Sequence, residues 1–254
     1  MSERTIAVTG SASGIGAALT NLLEERGIRV IGVDLRDADV VADLASAEGR
    51  LAAAEAVTSA VDGVLDGVVT CAGTSVPGEL MVKVNYFGTT QFVSALRPAL
   101  AKSSAPRVAV VGSISGTQQA DDDVVAACLA DDESAAQAAA AAAVADGRAQ
   151  QIYPSSKLAL ARWARRTSVE EGWASARIPL NVVAPGVVLT PMTEQLLADP
   201  VMKGVMDAAV PMPLNGYLAA VDVAQVLAFL VSPENSHITG QVVYVDGGAE
   251  ATLR

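Results

Sequence analysis

"VTGSASGIGAAL", residues 8–19, sets Gly10, Gly14 and Gly16 where a β-branched apolar run hands over to a helical one. Glycines at such a junction let the backbone turn tightly and let a pyrophosphate approach the free N–H groups of the helix N-terminus. A strand that passes through this kind of turn directly into a helix is the opening unit of a doubly wound sheet. The rest of the chain repeats that unit. Strands are expected at Ile6 to Thr9, "RVIGVD" (29–34), "DGVVTCAG" (66–73), "RVAVVGSISG" (107–116), "LNVVAPG" (180–186) and "QVVYVDGG" (241–248), with a short one at "VVAD" (40–43). Helical stretches at 14–26, 48–60, 84–100 and from about Gln151 alternate with them. Runs such as "VAVV" are apolar on both faces, as strands covered by helices on both sides must be. The predicted class is α/β, a parallel sheet of about seven strands within a single domain over 1–254.

Bulk properties narrow the function. Hydrophobic residues form 51% of the 254 but never gather into the ~20-residue run that spans a bilayer. The formal net charge of −11 argues against nucleic acid or an anionic membrane as partner, because both require clustered Lys and Arg. Cys71 and Cys128 are too few for a disulfide framework and read as small buried or half-buried residues. His237 is the single histidine, so no metal site is expected. "MSERTIAVTG" enters a strand without a basic region or an apolar secretory core, and a cytoplasmic location is expected.

Asp34 closes the second predicted strand, 18 residues after Gly16. A carboxylate there accepts hydrogen bonds from adenosine ribose hydroxyls and repels a 2′-phosphate, which favours NAD as the cofactor. Arg36, two residues on, is the one local argument for NADP; Ser11, Ala12 and Ser13 add no basic group. Farther along, "QIYPSSKLAL" (151–160) holds Tyr153 and Lys157 four apart, on one helix face. Pro154 fits the first turn of that helix, where no N–H partner exists. A tyrosine ionises near pH ~10 unless a cation favours the phenolate. The Lys157 ammonium and the positive nicotinamide are expected to pull it down, so that the phenolate exchanges a proton with an alcohol.

The Gly-x-x-x-Gly-x-Gly turn, "CAG" at 71–73 and the Tyr-x-x-x-Lys pair together resemble the short-chain dehydrogenase/reductase family, over essentially the whole chain from Thr9 to Gly248. Within it, "GVDLRDADVVADL" (32–44), "VNYFG" (84–88) and a long serine-to-tyrosine insertion are most similar to bacterial 3α-hydroxysteroid dehydrogenase/carbonyl reductases. The resemblance implies a Rossmann-type fold and hydride transfer between nicotinamide and an alcohol or ketone. It implies Ser113, Tyr153, Lys157 and Asn85 as the catalytic set. Ser113 would polarise the substrate oxygen, and Asn85 would hold a water connecting Lys157 to solvent. The implied cofactor contacts are Gly10, Ser13, Gly14, Ile15, Gly16, Asp34, Leu35, Asp43, Leu44, Cys71, Ala72, Gly73, Tyr153, Lys157, Pro185, Gly186, Val188 and Thr190. Homodimers or homotetramers are implied as well, the latter assembled partly through the helices carrying Asn85 and Tyr153. "CAG" replaces the usual Asn-Asn-Ala-Gly, so an asparagine that stabilises that turn is missing.

Two segments lie outside this pattern. Residues 117–150 are Ala-rich, carry seven acidic residues against one Arg, and stretch the Ser113–Tyr153 gap from about a dozen residues to 40. They are expected to form one or two short helices, chiefly as a solvated excursion, with a cleft wall or subunit contact as the alternative. Residues 190–217 hold Met192, Met202, Met206 and Met212 among prolines and few charges. That composition suits a lid over a small apolar ketone or secondary alcohol, steroid-like or otherwise cyclic. The alternatives are an NAD-binding regulatory protein of this fold and an NADP-dependent carbonyl reductase. Enoyl reductases of the fold separate Tyr and Lys by six residues, so three intervening residues disfavour that chemistry.

Overall fold

The computed structural model describes residues 4–253. Seven parallel strands form the main sheet: β1 (Thr5–Thr9), β2 (Arg29–Asp34), β3 (Val40–Val41), β4 (Gly67–Thr70), β5 (Arg107–Val111), β6 (Leu180–Pro185) and, last in chain order, β9 (Val242–Val245). Their spatial order is β3-β2-β1-β4-β5-β6-β9. The chain winds outward from β1, returns across it, and continues from β4, so the order reverses between β1 and β4. In doubly wound sheets, ligands bind at the carboxyl ends of the strands at that reversal.

Helices cover both faces. On one lie α1 (Gly14–Glu25) and, late in the chain, α11 (Ala220–Leu230), enclosing a core of Val8, Leu19, Leu23, Val69, Leu227 and their neighbours. The other carries α2 (Ala47–Ala60), α3 (Glu79–Val82), α4 (Gly88–Leu100) and α7 (Ile152–Thr167) over Val33, Val57, Val68, Phe92, Val110 and Leu160. The strands between them are buried on both sides, which is why they read as continuous apolar runs. Four-residue α8 (Glu171–Ala174) follows α7, and α12 (Ala249–Leu253) follows β9. No described helix is long and apolar enough to cross a membrane.

Three elements depart from expectation. The stretch at 84–100 is not one α-helix: Lys83–Phe87 form a π-turn between α3 and α4. The Asn85 carboxamide explains it. Its Oδ1 accepts from the Thr74 N–H at 2.8 Å and its Nδ2 donates to the Thr74 carbonyl at 3.0 Å, drawing the turn out towards the loop after β4. The insertion forms two helices, α5 (Asp122–Leu129) and α6 (Glu133–Ala145), and it is not a solvated excursion. Val124, Val125, Cys128, Ala136, Ala140 and Ala143 all enter the main core, with α5 against α7 and α6 against α3. Small side chains at 136, 140 and 143 make one helix face narrow enough to pack closely. Finally, β7 (Val188–Leu189) pairs with β8 (Leu218–Ala219) in a separate two-stranded ribbon that brackets α9 (Pro191–Ala198) and α10 (Pro200–Ala209).

Candidate active site

A cleft of about 270 Å³ opens at the carboxyl ends of β1, β2, β4, β5 and β6. Of the sequence-predicted site residues, all but Gly16 line it. Gly16 lies beneath the glycine turn, where an added Cβ would fall 2.0 Å from the Gly10 carbonyl oxygen. Gly10, at φ +69°, faces the "CAG" turn so closely that a Cβ would stand 2.7 Å from the Ala72 nitrogen. These two glycines are steric requirements of the loop.

The turn ends at α1 in a way that departs from ordinary helix starts. Ser13 occupies the N-cap position, but its side chain makes no capping bond, and no acidic residue sits in the first turn. The first N–H groups are thereby left to an outside acceptor. At one side of them Asp34 accepts from the backbone N–H of Ala12 (3.0 Å) and of Leu35 (2.7 Å), which tethers the glycine turn to β2. Leu35, 66% exposed, offers an uncovered apolar surface beside it. Asp43 is fixed through its bond from the Ala45 N–H, and Leu44 is buried. An uncapped helix end, a ribose-reaching carboxylate and an apolar flank together fit a dinucleotide. Arg36 is almost fully exposed, approaches only Asp37, and does not line the cleft.

The missing asparagine of the "CAG" turn has been replaced in function. Cys71 N–H donates to the Thr9 carbonyl at 3.1 Å, Ala72 N–H to Thr9 Oγ1 at 3.2 Å, and Thr74 N–H to Asn85. Burial pushes the Cys71 thiol up to about 12, so it stands as a neutral wall residue.

At the other end of the cleft Ser113, Tyr153 and Lys157 converge. Ser113 lies just past β5 and caps the 3₁₀ turn Ile114–Thr117, its Oγ accepting from the Ser115 N–H at 3.1 Å. Tyr153 and Lys157 project from the first turns of α7. The Lys157 ammonium donates to the Val111 carbonyl at 3.0 Å and stands 5.6 Å from the Tyr153 ring centroid. Burial lowers Lys157 to about 8. Tyr153 differs from expectation: its surroundings desolvate the phenolate and raise its pKa, and the opposing influence comes from Ser113, not from Lys157. The ammonium lies over the ring face and is itself poorly solvated, so within the protein alone burial prevails.

The Asn85 side chain has a further partner towards the tyrosine. Its Nδ2 approaches Ser156 Oγ at 3.4 Å, and that hydroxyl donates to the Tyr153 carbonyl at 2.8 Å. The link between Asn85 and Tyr153 therefore runs through Ser156, which sequence reasoning missed because a serine inside a helix carries no signal of its partner. Thr193 was missed too; it bonds Thr190 N–H and the Val188 carbonyl, shaping the start of α9. His237 is exposed against Ser236, before β9 and so at the opposite end of the sheet. Among the described residues no group of three His, Cys, Asp or Glu side chains could hold a metal ion.

Above the cleft, Met192 lines the mouth, while Met206 and Met212 pack with Ile114, Val187, Val210 and Ala249 in a small cluster under α10. Met212 Sδ accepts from the Val187 N–H at 3.3 Å and covers Gly186. Val201 and Val205 on α10 are left 74% and 56% exposed.

Comparison with known proteins agrees with this geometry. Residues 10–250 match the family described as Enoyl-(Acyl carrier protein) reductase. The 3-alpha-hydroxysteroid dehydrogenase/carbonyl reductase of Comamonas testosteroni is 36% identical, over 98% of this chain and 97% of that protein. Coniferyl-alcohol dehydrogenase of a Pseudomonas strain is 27% identical over 99% and 98%. The crystal structure of the 3-alpha-hydroxysteroid dehydrogenase from Pseudomonas sp. B-0831, complexed with NADH, is 42% identical, with a TM-score of 0.91 and 98% of each chain covered. An uncapped glycine turn at β1, a serine past β5 and a Tyr-x-x-x-Lys helix on one cleft, over a seven-stranded parallel sheet, meet in a chain that belongs to the short-chain dehydrogenase/reductase family of oxidoreductases.

Proposed function

We propose that the protein is an NAD(H)-dependent oxidoreductase that interconverts an apolar secondary alcohol and its ketone, with 3α-hydroxysteroids and other cyclic carbonyl compounds as the leading substrate class. The observation that carries this reading is the meeting of Ser113, Tyr153 and Lys157 on the wall of a cleft whose other end is the uncapped N-terminus of α1. The family relative named as a hydroxysteroid dehydrogenase/carbonyl reductase supports the substrate class, as does the apolar cover of Met192 and Met212. Three residues between Tyr153 and Lys157 argue against enoyl reduction, despite the description of the matched family. The carboxylate of Asp34 and the outward position of Arg36 favour NAD over NADP.

A nicotinamide dinucleotide, when bound, supplies the hydride acceptor or donor and, oxidised, a positive charge. Gly14 and Ile15 N–H groups would hold its phosphates, Asp34 its adenosine ribose, and Val188 and Thr190 its carboxamide. In alcohol oxidation the Tyr153 phenolate takes the hydroxyl proton while Ser113 donates to the same oxygen; in reduction the phenol returns that proton. Burial alone holds Tyr153 protonated, so added positive charge is what makes it a base. The Lys157 side chain, fastened to Val111, keeps the polar wall fixed behind the ring.

Tyr153→Phe tests the reading directly. With a panel of ketones and secondary alcohols followed by NADH absorbance, and NADPH as the comparison, the wild type should turn over with NADH. The variant should lose on the order of 10²–10⁴-fold in kcat while still binding NADH. Unchanged turnover in the variant would refute the assignment. For assembly the reading is a homodimer or homotetramer, with α5 and α6 packed on α7 and α3 beside the surface that fourfold assembly would use.

A further inference from the structure

The insertion stands between Ser113 and Tyr153 in sequence, so its two ends are the chain's direct connection between the two groups. The structure ties the ends together. Asp121, at the head of α5 and only 5% exposed, forms an ion pair with Arg148, just before α7. One Asp121 oxygen faces Arg148 while the other accepts from the N–H groups of Asp123 and Val124. The Asp121 N–H donates to Ser155 Oγ at 2.8 Å, and Ser155 in turn donates to the Gln151 carbonyl at 2.6 Å. The residue after that carbonyl but one is Tyr153.

We infer that Asp121, Arg148 and Ser155 form a positioning latch that sets Tyr153 against Ser113, an inference that rests on the catalytic reading of those two residues. Counted through the ion pair, Ser113 is eight residues from the latch and Tyr153 five, in place of 40. What the latch adds is rigidity at the first turn of α7, where a displacement of about 1 Å between reacting groups is enough to cost rate. The Tyr153 turn is thereby gripped from two sides, by Ser155 from the insertion and by Ser156 from Asn85. The insertion is fastened a second time, by buried Arg50 of α2 to Glu133 of α6 at 2.5 Å, and Arg50 also donates to the Lys83 carbonyl of the Asn85 turn at 3.4 Å.

Asp121→Asn and Arg148→Met should lower kcat by roughly ten- to a hundredfold, well below each variant's unfolding temperature, with the NADH dissociation constant unchanged. The lower-pH limb of alcohol oxidation should move to higher pH as Ser113 loses its hold on the phenolate. Arg148→Lys should restore most of kcat. Asp132→Ala, which removes the side-chain cap of α6, should reduce stability and leave kcat and its pH profile as in the wild type. Should Arg148→Met fail to fold, Ser155→Ala reads the same effect with one partner removed. A lowered melting temperature with unchanged kcat and pH profile in all latch variants would overturn the inference. Tyr153→Phe, run in parallel, separates the two ideas: if it retains turnover the catalytic reading fails, and if it collapses while the latch variants keep kcat, only the latch falls.

Discussion

Lys157 shows how one side chain carries opposite obligations. Its ammonium stands beside the cleft, yet burial lowers its pKa from 10.5 to about 8. The unfolded chain thus binds more protons than the folded one between those values, and stability rises with pH across that window. Below pH 8 the penalty is present in full, about 3 kcal/mol by the free-energy equivalent of the shift. Lys157→Met should accordingly make the cofactor-free protein more stable than wild type at pH 7, and the advantage should shrink as the pH rises from 8 towards 10.5. Urea unfolding across that range measures it. An advantage that stays constant with pH would show that the lysine is solvated in the folded state. Tyr153 bears no such cost at pH 7, because its raised pKa leaves the phenol neutral in both folded and unfolded chains; burial there opposes only the formation of the phenolate.

Among the elements, the insertion shows how composition misleads. Its acidic residues announce a solvated surface, and Asp122, Asp123, Asp131 and Asp132 are indeed outward. Its alanines do the opposite: Ala136, Ala140 and Ala143 are fully buried. Alanine has high helix propensity wherever it lies, so the letter alone says nothing about which face is covered. Ala140→Asp would place an unpaired carboxylate in that seam and should cost more than about 3 kcal/mol, visible as a lower urea midpoint. Were α6 a solvated excursion, the substitution would be close to neutral. The π-turn at Lys83–Phe87 belongs to the same scale. "VNYFG" is compatible with an ordinary helix, and only the two bonds between Asn85 and Thr74 open the turn.

For the whole molecule, the arrangement of layers decides what remains available for assembly. α1 and α11 cover one face of the sheet, α2, α4 and α7 the other, and the insertion lies over α7 and α3. β9 is left as an edge of the sheet, its Val242, Val243, Tyr244 and Val245 each half-buried. Under the proposed homo-oligomeric reading, light scattering of the purified protein should give two or four times the chain mass of 25.8 kDa, and a monomeric mass would refute it.

Ser113 rests on the family resemblance, whereas the sheet, its parallel winding and the positions of the glycine turn, Tyr153 and Lys157 were legible in the chain alone. Each is a local pattern: buried strands have continuous apolar runs, and a dinucleotide turn and a proton pair have short, rigid spacings. Tertiary structure decided the rest. The burial of the insertion, the direction of the Tyr153 shift, the replacement of a missing turn asparagine by Thr9 and Asn85, and the role of Ser156 all depend on partners tens of residues away. Desolvation and long-range hydrogen bonds exist only once the chain is packed, and no window of neighbouring residues contains them.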